Sequence, residues 1–327
     1  MKSNGYPFRI IRADSEAPLT AEEQALLLER PFTRLGNTFA EDARRFIPGP
    51  QLETAINAAV AVGEPLLITG EPGTGKTQAA YYTAYKLGLE LLHFQVKSDS
   101  SATDLLYHFD TVRYFRDASL GVRDGGAAAR AQAGEPHAER ALNKEAYLEP
   151  RPLWIAFESP LPMVLLIDEI DKAPRDFPND LLHELDKMEF TVSETGKVIK
   201  ADEKVRPIVF ITSNSERRLP EPFLRRCVYH HIRFDERLIA EAVHRRSDEY
   251  RHLDRTFLDM AIQRFLALRQ RNLRKRPSTG ELLVWLRVMS TALGTVPEVL
   301  DSNLSKLPFL GTLLKDHQDI EELGTQP

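Results

Sequence analysis

Apolar residues cluster in short runs over the first two thirds of the chain: Pro65–Thr69, Leu91–Val96, Met163–Ile167, Ile208–Thr212 and Val228–Phe234. Most are nearly continuous rather than alternating, which is the pattern of strands covered on both faces. Stretches of helical periodicity lie between them. Gln51–Val62 reads as a helix closing at Gly63, and Thr77–Leu87 as one closing at Gly88, since glycine accepts the left-handed backbone that ends a helix. Strand and helix in alternation predict an α/β fold, a three-layer αβα domain on a parallel five-stranded sheet.

The pattern changes after residue 235. Leu258, Ile262, Phe265 and Leu266, then Leu282, Leu283, Leu286 and Met289, recur at helical spacing, which predicts a small all-helical domain over 236–300. A tail over 301–327 carries Leu304, Leu307, Phe309 and Leu310, and packs either on the body or on a partner. At the other end, 1–34 is polar and broken by prolines, with one helical run at Ala21–Glu29. It reads as an extension or linker ahead of an α/β domain over 35–235. Asp124–His137 is rich in Gly and Ala and poor in large apolar residues, the composition of a mobile insertion.

Composition narrows the class. The 327 residues are 42% hydrophobic, enough to fill a large core and smaller units. Forty-three basic side chains against 48 acidic give a net charge of −5, so nothing global draws the chain to nucleic acid or an anionic membrane. The lone cysteine, Cys227, excludes an internal disulfide and a cysteine-rich zinc site. No segment approaches the ~20 apolar residues that cross a bilayer, and Met1–Arg12 lacks a signal-like apolar stretch. A soluble cytoplasmic protein is expected.

The strongest chemical signal is Gly70-Glu71-Pro72-Gly73-Thr74-Gly75-Lys76-Thr77, with Gln78 following. It fits G-x-x-x-x-G-K-[ST] directly after a predicted strand and before a predicted helix. Glycines let backbone amides turn inward around phosphates, and the helix offers its positive end to the anion. Lys76 is expected on the β- and γ-phosphates and the Thr77 hydroxyl on Mg²⁺.

Val164-Leu165-Leu166-Ile167-Asp168-Glu169 ends a strand on two carboxylates. Successive strand positions face opposite ways, so the two side chains are expected to diverge. Asp168 is assigned to Mg²⁺ and Glu169 to the attacking water. Asn214, after Ile208–Thr212, falls where open α/β sheets place ligands and is a candidate sensor of water or γ-phosphate. Arg225 and Arg226, just before the last strand, are candidates for an arginine that meets the developing charge on a neighbouring molecule's nucleotide. Which of the two acts is open.

Arg269-Gln270-Arg271-Asn272-Leu273-Arg274-Lys275-Arg276 holds five basic residues in eight. It is a solvated face, a lid contact to nucleotide phosphates, or a nucleic-acid surface. No aromatic residue is interleaved for base stacking. Asn143-Lys144-Glu145-Ala146 lacks the aspartate of a guanine-reading motif, which favours ATP.

Together Gly70–Thr77, Asp168-Glu169-Ile170-Asp171-Lys172-Ala173, Thr212-Ser213-Asn214 and Phe223-Leu224-Arg225-Arg226-Cys227, with Leu153-Trp154 and Phe190-Thr191-Val192, resemble the MoxR-type AAA+ ATPases over roughly 35–293. The resemblance implies Walker A, Walker B, sensor 1 and arginine-finger segments, a P-loop ATPase fold with a helical lid, and insertions near 104–148 and 190–205. It further implies a homo-oligomer, a hexameric ring, with a chaperone-like remodelling role and a partner bearing a von Willebrand A domain. The family's second sensor arginine follows a Ser-Pro at a helix start, whereas this chain reads Arg276-Pro277-Ser278-Thr279. Arg276 is the choice for that role, with Arg274 or no such residue as alternatives. Two other classes compete: a nucleic-acid-stimulated motor or restriction-type NTPase, and a nucleotide-dependent assembly scaffold.

Overall fold

A computed structural model describes residue 21 and residues 38–124, 143–250, 252–292, 299–300 and 303–325. The expected linker over 1–34, apart from Ala21, and the Gly/Ala-rich stretch beyond Asp124 lie outside the described residues. The chain divides into two compact units. One is built from Pro50–Thr69 and Thr83–His231, the other from the described residues within Met1–Gly49, Gly70–Tyr82 and Ile232–Pro327.

Nine strands are described: β1 Leu66–Gly70, β2 Leu91–Gln95, β3 Tyr107–Phe109, β4 Leu148–Pro150, β5 Val164–Asp168, β6 Glu189–Thr191, β7 Val198–Lys200, β8 Ile208–Ser213 and β9 Val228–Ile232. Five of them form one sheet in the order β2-β5-β8-β1-β9. The pairings β2 with β5, β5 with β8 and β8 with β1 are parallel, so each needs a crossover, and the intervening helices supply it. Every residue of the inner strands β1 and β5 is buried, whereas the edge strand β2 is only partly covered. That difference is why β1 and β5 read as unbroken apolar runs and β2 carries His93 and Gln95. Truncating a residue as enclosed as Leu165 to alanine costs about 2–5 kcal/mol.

The register aligns the carboxyl ends of these strands. Gln95 lies beside Asp168, Ile68 beside Thr212 and Thr69 beside Ser213. This is the edge at which open parallel sheets bind ligands. Helix Lys76–Leu87 stops at Gly88, whose φ of 65° is left-handed, and the Leu89 amide returns to the Ala84 carbonyl at 3.0 Å.

Two antiparallel pairs stand apart from the main sheet. β3 and β4 flank helix Thr111–Asp124; β6 and β7 form a hairpin over 189–200. Both are anchored by one aromatic cluster in this unit: the Phe190 ring centroid lies 5.9 Å from that of Trp154 and 6.3 Å from that of Tyr107.

The other unit contains helices Glu236–His244, Arg255–Arg269 and Thr279–Ala292. Asp235 and Asp254 cap the first two, accepting from amides of their first turns. Ser278 and Glu281 cap the third reciprocally. Phe257, Phe265, Trp285 and Leu286 are fully enclosed between them. The tail joins this core through Leu304, Leu307, Leu313 and Leu323, and the Trp285 indole N–H donates to the Pro308 carbonyl at 2.8 Å.

Candidate active site

The phosphate loop follows β1, and its glycines carry the left-handed backbone that the motif requires: φ is 74° at Gly73 and 93° at Gly75. A Cβ on Gly73 would sit 2.5 Å from the Ser278 hydroxyl oxygen, and one on Gly75 would sit 2.7 Å from the Phe46 ring. Helix Lys76–Leu87 begins at the motif lysine. The Lys76 ammonium donates to the carbonyls of Gly70 and Glu71, at 2.9 Å each. Thr74 donates its hydroxyl to the same Glu71 carbonyl at 2.8 Å. Thr77 stands in the first turn, and Gln78 donates its amide to the Phe39 carbonyl at 2.8 Å. An ammonium, a helix amino end and glycine-freed amides form a donor set suited to a polyphosphate.

Three basic side chains of the sequence reading are sorted differently by the same unit. Arg276 and Arg274 are exposed, and the Arg274 and Lys275 amides are held by the buried Asp319 carboxylate at 2.9 and 3.1 Å. Arg269 is buried and pairs with Glu71 of the phosphate loop at 2.8 Å. The basic segment is therefore not one continuous solvated face.

At the carboxyl edge of the other unit, Asp168 is almost fully buried and ends β5. Its Oδ1 accepts a short hydrogen bond from the Thr212 hydroxyl, and its Oδ2 lies 3.2 Å from His93 Nε2. Thr212 Oγ1 in turn accepts from the Glu169 amide at 2.8 Å. Glu169 does not continue the strand: its φ of 59° and ψ of 51° are left-handed. The divergence of the two carboxylates thus comes from a break in the backbone, not from strand alternation. Left-handed backbone costs a non-glycine residue about 1–2 kcal/mol; here the Thr212 bond and the Lys172 amide on the Glu169 carbonyl, at 3.0 Å, fix the turn.

The Glu169 carboxylate is ringed by donors. Oε1 accepts from Asn214 Nδ2 at 3.1 Å, and Oε2 from Gln95 Nε2 at 2.7 Å and, over a short contact, from Lys172 Nζ. The bond to Glu169 pushes the Lys172 pKa above its ordinary value, so the ammonium stays charged. Asn214 is placed by its own backbone: buried Asp171 accepts from the Asn214 amide at 3.2 Å and the Glu216 amide at 2.9 Å. Asp168, Glu169 and Asn214 are thus brought together by two neighbouring strand ends, those of β5 and β8. Asp168 presents hard oxygen ligands. Among the described residues no cluster of three or more His, Cys, Asp or Glu is arranged to hold a metal ion.

Arg225 and Arg226 follow the short helix Glu221–Leu224, Arg225 as its C-cap. The partners observed for them are Glu221 for Arg225 and, at 3.5 Å, Asp186 for Arg226, not the carboxylates of the sheet edge. Arg225 is the more exposed, at 76% against 47%. The sequence assigns no role to Gln95, nor to Lys172 and Asp171 within the Asp168–Ala173 stretch. Gln95 had one usable signal, a polar residue ending an apolar strand; Arg269 had none, being 198 positions from Glu71.

Residues 65–227 match the family described as AAA domain (dynein-related subfamily). A stretch of 80 residues is 32% identical to midasin of Dictyostelium discoideum; it spans 24% of this chain and 1% of midasin, so the likeness is to a small part of that protein. A crystal structure from Cytophaga hutchinsonii, described as that of a candidate ATPase, overlaps 89% of this chain and 93% of its own at 14% identity, with a TM-score of 0.40. The fold assignment rests on the sheet itself and on the family match. That match runs from Pro65, just before β1, to Cys227, just after the arginine pair, slightly under half of the chain.

Proposed function

We propose that the chain is an ATPase that hydrolyses MgATP as an AAA+ enzyme of MoxR-like type. The observation that carries the reading is Glu169, turned out of β5 by a left-handed backbone and hydrogen-bonded to Asn214 from the neighbouring strand. A carboxylate so held is equipped to orient a water, and the amide to align it. The family match over 65–227 supports the same chemistry.

Each residue's part follows from its surroundings. Lys76, whose ammonium donates to the Gly70 and Glu71 carbonyls, would form charge-assisted hydrogen bonds to the β- and γ-phosphates. From the sequence motifs alone, Thr77 and Asp168 are the residues that would hold Mg²⁺, which when bound would neutralise phosphate charge. Glu169 Oε2 accepts from both Gln95 and Lys172, whereas Oε1 accepts the single bond from Asn214 and so keeps a lone pair with which to draw a proton from water. Arg225 or Arg226 supplies positive charge to the nucleotide of an adjacent copy, an effect worth about 10³–10⁵ in rate where it operates.

A ring of like subunits, hexameric by the MoxR resemblance, is the assembly in which an arginine given to a neighbour makes sense. A partner with a von Willebrand A domain and a remodelling role rest on that resemblance alone. Burial of Arg269 leaves a smaller basic surface than the sequence suggested, and this weighs against the nucleic-acid motor. The test is phosphate release from MgATP by the purified chain, with mass measured by light scattering with and without nucleotide. Turnover rising with self-association is expected; a monomer with full turnover would remove the shared-arginine mechanism.

A further inference from the structure

Arg269 ends helix Arg255–Arg269 with its side chain only 7% exposed. Three groups receive its guanidinium. Nη2 donates to Glu71 Oε2 at 2.8 Å, Nη1 donates to the Pro277 carbonyl, and the planar group lies 3.6 Å from the Phe234 ring centroid. Stacking and the Pro277 bond fix the plane of the fork and so direct Nη2 at Glu71.

Glu71 is half-exposed and belongs to the phosphate loop. Its main-chain carbonyl is the acceptor shared by Lys76 Nζ and the Thr74 hydroxyl. Holding the Glu71 side chain therefore holds the carbonyl that positions the motif lysine. A second approach between the same parts lies nearby, where Gly73 leaves no room for a Cβ against Ser278. An unpaired guanidinium this deeply buried is costly, so the pair persists unless something competes for it.

We propose that Arg269 is a positioning residue of the nucleotide-binding loop: acting through Glu71, it pins the loop in the form that receives phosphate. The helical region thereby sets nucleotide affinity without touching the nucleotide. This rests on reading the loop as the ATP site.

The experiment compares full-length wild type, Glu71→Gln, Arg269→Gln and the double variant. Titration with a fluorescent ATP analogue plus Mg²⁺ gives Kd, and steady-state turnover gives KM and kcat. A buried charged hydrogen bond lost corresponds to about a ten-fold weakening. Each single substitution is expected to raise Kd and KM by about that factor with kcat within about two-fold, and the double variant to bind no worse than Arg269→Gln. Additive effects, or wild-type affinity in Glu71→Gln, would overturn the inference. Hydrogen exchange without nucleotide separates it from the ATP reading: the Thr74–Lys76 amides should exchange about ten-fold faster in both single variants, and unchanged exchange would also overturn it. Wild-type protein that binds no ATP analogue would instead overturn the ATP reading, leaving the exchange result to decide the pin.

Discussion

Asn214 Nδ2 donates to Glu169 Oε1 at 3.1 Å, across two neighbouring strands and 45 positions of sequence. The bond holds the proposed water-orienting carboxylate from one side while Gln95 and Lys172 hold it from the other. Asn214→Ala should lower kcat by about 10²-fold with KM little changed, because the amide acts on the reacting water rather than on the bound nucleotide. Steady-state phosphate release checks it; a change confined to KM would place Asn214 in ground-state binding.

Thr212 is fully buried, donates to Asp168 and accepts from the Glu169 amide. Thr212→Val keeps the shape and strands both partners. The expected loss is about 1–3 kcal/mol of stability, read as a lower urea midpoint with unchanged slope. Unchanged stability would mean that water replaces the hydroxyl at this edge.

Gly73→Ala meets two obstacles, a φ of 74° and a Cβ 2.5 Å from the Ser278 hydroxyl oxygen. Strain of about 1–2 kcal/mol is expected from the backbone alone. The loop should relax by moving away from Ser278, so ATP affinity falls more than the melting temperature does. Equal affinity in the variant would show that the observed loop conformation is not the binding one.

Cys227 donates its thiol to the Phe223 carbonyl at 3.4 Å, and burial with the nearby Glu64 charge pushes its pKa up to about 12. Folded protein at pH 8 should therefore react with a thiol-specific disulfide reagent at least about ten-fold more slowly than unfolded protein. The sign for stability follows: the neutral thiol is favoured on folding, its contribution is fully present below the unfolded pKa near 9, and it is lost as pH rises toward 12. Fast labelling of the native chain would contradict the burial.

The sheet was legible because its inner strands are covered on both faces and so leave unbroken apolar runs, as in Val164–Ile167. The helical region was legible from its spacing. What sequence could not supply were contacts made by distance in space: Arg269 reads as one member of a basic cluster until Phe234, Pro277 and Glu71 surround it. Glu169 reads as a strand residue because a left-handed turn leaves no mark in a glutamate. Arg225 and Arg226 stay undivided, since each is engaged by a carboxylate of its own surroundings.

The most direct test of ATP hydrolysis through Glu169 is a single-turnover measurement with radiolabelled MgATP on wild type and Glu169→Gln. The substitution keeps the side chain's size and removes its charge, hence its capacity to draw a proton from water. Wild type should convert bound ATP to ADP and phosphate, while Glu169→Gln should bind ATP with similar affinity and convert it at least about 10²-fold more slowly. Equal conversion by the two proteins would contradict the account.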